Sequence, residues 1–172
     1  MKIPGMKKGP LFTSAMVALL VFFHVYGCKA EMPHNIHAIP SKPSREICFH
    51  KDGELSFVGK NGQRIVTIDI EIPKTDEEIS TGLMFRHKMA ETEGMLFGHE
   101  KMPIQFYWMK NTYIPLDMIF VDKTLEIVGI RKTATPLSEE LIPVPADTQY
   151  TIEVNGGFCD RHGISVGDKI VK

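Results

Sequence analysis

From Ile47 onward the chain alternates short apolar runs with turn signals, and that rhythm predicts a sheet. Val66, Ile68, Ile70 and Ile72 alternate with Thr67, Asp69 and Glu71, the period-2 pattern of a strand with one buried face. Asn61-Gly62 precedes it and predicts a tight hairpin between Leu55–Val58 and Ile65–Ile72. Pro73 ends the second strand. Thr75-Asp76-Glu77-Glu78 is a capping box, with Thr75 as cap and Glu78 reaching back. Ile79 and Leu83 then share a helical face, which predicts one short helix over about 76–86. Gly82, a poor helix former, implies close approach of another backbone there.

Beyond the helix, Glu93–Phe97 reads as a turn into a short buried strand, and Phe106–Met109 as another. Leu116–Val121 and Leu125–Ile130 flank Asp122-Lys123-Thr124 and form a second hairpin. Residues 133–148, with Pro136, Pro143 and Pro145, read as loop. Tyr150, Ile152 and Val154 alternate with Thr151 and Glu153 in a further strand. A turn at 166–169 leads to a last short strand at Ile170-Val171. Seven or more short strands and one helix predict an α+β fold: a compact, mostly antiparallel, β-barrel-like sheet whose closure protects its edges.

The N-terminus follows a different pattern. Lys2, Lys7 and Lys8 precede a mostly apolar stretch from Leu11 to Val25, shorter than the roughly 20 residues a bilayer span needs. Gly27-Cys28 follows. This is the layout of a secretory signal, and Val25-Tyr26-Gly27-Cys28 is similar to a bacterial lipobox, in which Cys28 receives lipid after cleavage. Tyr26 is larger than the residue usual there. Residues 28–46, with Pro33, Pro40 and Pro43, then form a tether, and 47–172 a single globular domain. The expected location is the periplasm or cell envelope, with the membrane reached through the lipid anchor. A soluble cleaved form and an uncleaved anchor are the alternatives.

Composition narrows the function classes. The chain has 172 residues and a formal net charge of −1; without its first 27 residues, 17 basic residues face 21 acidic ones. Nucleic-acid binding, which leaves a basic excess, is not expected. In an oxidising compartment Cys48 and Cys159 could pair as a disulfide or stay as two thiols. His34-x-x-His37 and Cys159-x-x-His162 are incomplete as metal sites, and no metal or cofactor is expected. Six methionines from Met84 to Met118 suit either a soft-metal site or an irregular core, with core favoured.

The candidate chemistry concentrates in Phe106–Asp117, FYWMKNTYIPLD. Trp108, Lys110, Asn111 and Thr112 form either a recognition edge for a small polar ligand or a structural network in which Asn111 and Thr112 bond the backbone. Arg86 reads as a cation at the helix C-terminus or as a fork for an anionic group. Asp117 is an acid/base candidate with no evident partner; it could equally accept backbone donors. Asn155-Gly156-Gly157 is a turn or a backbone cradle, the glycines permitting positive φ. No familiar catalytic signature is present.

The blocks GLMFRHKM (82–89), GMLF (94–97), FYWMKNTYIPLDMIFVD (106–122), IVGI (127–130) and IEVNGGFCDRHGISVGDKI (152–170) resemble, in this order, the bacterial and archaeal family called domain of unknown function 192. Tyr107 and Cys159 are bulkier than the residues usual at their positions. The resemblance implies a small α+β fold with a barrel-like core, often exported, and no activity. The resulting expectation is a non-enzymatic envelope module with a small polar or anionic ligand, or a partner, near Arg86, Trp108, Lys110 and Asn111. An envelope enzyme using Asp117 and a purely structural protein are the alternatives.

Overall fold

The computed structural model describes residues 47–99 and 104–172. The signal segment 1–27, Cys28, the tether with its His34 and His37, and Met102 lie outside the described residues. In chain order the elements are β1 (Gly53–Val58), β2 (Arg64–Glu71), α1 (Asp76–Thr81), β3 (Glu93–Gly98), β4 (Phe106–Tyr107), β5 (Leu116–Asp122), β6 (Ile127–Ala134), β7 (Ile142–Pro143), β8 (Thr148–Asn155), α2 (Phe158–His162) and β9 (Lys169–Val171).

Seven strands form one mixed sheet in the order β6-β5-β8-β3-β2-β1-β9, and β4 pairs with β7 in a separate ribbon. Every neighbouring pair in the large sheet is antiparallel except β2–β3. The parallel step follows from the chain between them, which crosses over through α1 instead of turning back as a hairpin. The sheet is not a closed barrel. Among the described residues its two edge strands meet at one bridge, Glu126 with Lys169. Backbone bonds from Ile127 N to Asp168 O and from Ile170 N to Leu125 O accompany that bridge.

The helix is shorter than its sequence pattern predicts. Thr75 Oγ1 accepts the Glu78 amide at 3.2 Å and Glu78 Oε2 accepts the Thr75 amide at 3.0 Å, so the capping box forms. Gly82 then takes φ +48° and Phe85 φ +64°, which end the helix after Thr81. Gly82 does sit at a close approach, but to the ring of Phe97, which would lie 3.3 Å from an added Cβ.

Two hydrophobic cores occupy the two faces of the sheet. One gathers Leu55, Phe57, Ile68, Ile70, Leu96, Ile119, Val121, Ile152 and Val154 under Phe158 of α2. The other gathers Met95, Phe97, Leu116, Met118 and Phe120 under Leu83, Met109 and Ile142. Alternation along β3, β5 and β8 sends successive side chains to opposite faces. In a sheet buried on one side the second set would be polar and wet. Here the chain from Leu83 and the segment from β4 to β7 cover it. Each large side chain so buried contributes roughly 1.5–3 kcal/mol. Methionines 95, 109 and 118 are core residues of this second face.

Candidate functional site

The covered face is not filled completely. A cleft of about 280 Å³ opens between α1 with its following turn, β4 and the sheet. Its walls are Phe97, Phe106, Tyr107 and Trp108 together with Ile79, Met84 and Leu116; Ser80, Thr81, Thr112 and Glu153 bring polar groups to it. The loop carrying Trp108 is held over the sheet by main-chain bonds. Met109 N donates to Ser138 O at 2.9 Å, Leu137 N to Thr112 O at 3.1 Å and Phe85 N to Asn111 O at 2.8 Å. Asn111 takes φ +56°, a left-handed conformation that asparagine tolerates better than most residues.

Glu153 lies at the floor of this cleft. It sits in the middle of β8, opposite Met95 of β3 and Met118 of β5 in register, and is 5% exposed. No hydrogen bond from the described residues reaches its carboxyl group. Burial pushes its pKa up to about 8, so the side chain is an uncharged acid at neutral pH. Tyr107 stands beside it. Burial, and then the nearness of Glu153, raise the phenol far above its usual range. Its hydroxyl lies 3.3 Å from His99 Nε2, which is also 3.0 Å from Thr151 Oγ1. Burial lowers the pKa of His99, which favours its neutral form. The floor is therefore an uncharged hydrogen-bonding cluster under aromatic walls.

Of the residues singled out from the sequence, Trp108 and Thr112 line the cleft. Trp108 is 41% exposed, and Lys110 Nζ lies 4.9 Å from its ring centroid and 3.8 Å from Glu139. Asn111 is a loop residue whose side-chain amide reaches Met84 Sδ at 3.9 Å. The buried Thr112 hydroxyl donates to Lys110 O at 3.3 Å. The remaining three lie elsewhere. Arg86 is buried and paired with the equally buried Glu71, bordering a different cleft with Ile47 and His50. Asn155 donates to the carbonyls of Met89 and Ala90, both at 3.0 Å, tying β8 to the approach to β3.

Asp117 faces the opposite side of the sheet from the cleft. It is 0% exposed. Its Oδ1 accepts the amides of Thr133 and Gly157 at 2.8 and 2.9 Å, and its Oδ2 that of Cys159 at 2.9 Å. The carboxylate thus caps α2 from a neighbouring strand, in a place that offers no substrate access. Gly157 takes φ +80° at that cap, and an added Cβ on Gly156 would lie 2.9 Å from Pro115, so both glycines serve the turn. No disulfide joins Cys48 to Cys159: Cys159 is a buried thiol packed in the first core, whereas Cys48 lies exposed near the start of the domain.

The sequence pattern passed over Glu153, Tyr107 and His99. The one available signal was an acid flanked by Ile152 and Val154 within a strand that alternates Tyr150, Ile152 and Val154 on the opposite face.

The family model of DUF192, described as Uncharacterized ACR, matches residues 57–172. Among solved structures, a protein of unknown function from Novosphingobium aromaticivorans is 35% identical, with a TM-score of 0.64, over 69% of this chain and 84% of its own. A protein from Sinorhizobium meliloti, provisionally described as a transcription regulator, is 32% identical with a TM-score of 0.65, over 73% of this chain and 96% of its own. Comparison with curated proteins finds no match.

Proposed function

The chain belongs to the DUF192 family, and from that premise we propose that its domain is a non-enzymatic binding module that takes a small molecule into the cleft beside Trp108. The observation that carries this reading is Glu153. A buried acid with no described hydrogen-bond partner costs stability unless something meets it, and this one lines an open cleft with aromatic walls. Enzymatic use of Asp117 is disfavoured, because both its oxygens accept main-chain amides. A role on nucleic acid, suggested only by the description of the S. meliloti relative, finds no support in the acidic balance of the chain after residue 27.

The N-terminal pattern supports an envelope setting, with residues 1–27 as signal, Cys28 as the lipidated residue and the tether placing the domain at the membrane surface. Durable anchoring would need more than one acyl chain. In that setting, Cys28→Ser releases the protein from the membrane fraction; if the variant stays membrane-bound, the lipid anchor is wrong.

Binding is tested by a thermal-shift screen of the protein against sugars, amides, alcohols, amines and organic acids. A ligand at a hundredfold excess over Kd adds about 2.7 kcal/mol. The shift should be lost in Trp108→Ala, whose partly exposed side chain can be removed without opening the core. The reading fails if no compound moves the melting point, or if Trp108→Ala responds like the wild type.

A further inference from the structure

Resting on the cleft as a binding site, the geometry points to a narrower conclusion, and we propose that Glu153 works as a hydrogen-bond donor selecting a neutral ligand with a ring-sized apolar body and a carbonyl-type oxygen at its inner end.

Among the described residues, the cleft lining contains no Lys, Arg or His, and its ionisable groups are Glu153 and Tyr107. An anionic ligand would meet no cation among them. Lys110 is close in sequence, but its ammonium lies over the Trp108 ring and near Glu139. An ammonium ligand is equally ill served. It would have to ionise Glu153 between Met95 and Met118, shed its own water and satisfy three N–H donors, and buried pairs recover such costs only with excellent geometry. An oxygen acceptor asks for none of this. It needs one O–H donor, and the acid form of Glu153 has one with no described acceptor. The Tyr107 hydroxyl is already near His99. The raised pKa of Glu153 agrees with a proton that stays in place at neutral pH.

Size sets the body of the ligand. At roughly 30 Å³ per water-sized group, the cleft of about 280 Å³ holds about nine such groups. That is one substituted ring, suited to the faces of Phe97, Phe106, Tyr107 and Trp108. Among the described residues, the titratable groups around Glu153 are Tyr107 from β4 and, beyond it, His99 just after β3; the neighbours from β3 and β5, Met95 and Met118, carry no charge.

Three probes of one shape separate the possibilities: benzamide, benzoate and benzylammonium, titrated into the protein by calorimetry. Near pH 6 benzamide should bind at least about tenfold more tightly than either ion, a difference of about 1.4 kcal/mol. Its affinity should fall about 30-fold by about pH 9.5, as the donor form of an acid titrating near 8 is depleted. Glu153→Gln, which keeps an N–H donor, should retain binding and lose that pH dependence; Glu153→Leu should abolish binding. Tighter binding of benzoate or benzylammonium overturns the donor assignment and leaves the cleft as a site. Benzamide binding that ignores both substitutions also overturns it. No binding of any probe at tens of millimolar removes the cleft itself, and the reading above falls with it.

Discussion

Replacing Glu153 by glutamine should make the protein more stable, by an amount set by pH. The side chain is buried in the second core between Met95 and Met118. Its carboxyl titrates near 4.5 in an unfolded chain and near 8 in the folded one. Between those values the folded protein holds a proton that the unfolded chain releases, so wild-type stability falls as pH rises. Below about 4.5 both states are protonated and the effect vanishes; above about 8 both are ionised and it levels off. At about 1.4 kcal/mol per unit, the handicap reaches about 3 kcal/mol at pH 7 and between 4 and 5 kcal/mol at its plateau. Glutamine has nearly the same shape and does not titrate. Denaturant unfolding of both proteins from about pH 4 to 9 should therefore give curves that meet at the acid end and separate with this slope. Subtracting one from the other cancels every other titrating group. Parallel curves would show that Glu153 ionises as freely in the folded state as in the unfolded one, and the uncharged floor of the cleft would be wrong.

Three further outcomes follow from the buried polar groups. Arg86→Met should cost about 3–5 kcal/mol in denaturant unfolding by leaving the buried Glu71 charge with only the His50 amide among the described residues, and Arg86→Met with Glu71→Leu should recover most of it, since removing both charges of a buried pair is nearly neutral. Asp117→Asn should cost about 2–4 kcal/mol, because an amide replaces a carboxylate that accepts three main-chain amides. Binding in the cleft should survive that change in the folded fraction, as a titration would show. Cys159 should resist alkylation in the folded protein and react on unfolding, since burial first and the Asp117 charge second raise its thiol pKa; peptide mass spectrometry reads the modified residue.

Local chemistry was legible in the sequence where its cause is local. The Asn61-Gly62 hairpin, the Thr75–Glu78 box and the alternation in β2 each depend on residues a few positions apart, and each formed. The polar residues of the candidate site were visible as unusual but not assignable, because their partners are distant. Arg86 meets Glu71 across 15 positions, Asp117 meets Cys159 across 42 and Asn155 meets Met89 across 66. Glu153 was hidden for another reason. Period-2 alternation identifies which residues share a face but says nothing of what covers it. The polar set in β8 reads as solvated until the chain beyond α1 and the β4–β7 segment are seen packed on top. The same blindness applies to closure: short strands with turns suggest a barrel, whereas β6 and β9 remain the sheet's edges and, among the described residues, meet only around the Glu126–Lys169 bridge.

Trp108 is the chain's single tryptophan, and it stands at the wall of the cleft with part of its indole in water. The molecule therefore carries its own optical reporter at the place where a ligand would arrive. Excited at the red edge of its absorption, where the four tyrosines do not absorb, its emission comes from one site. Any occupant that displaces water from that ring, or moves Lys110 off it, is readable by light in the unlabelled protein.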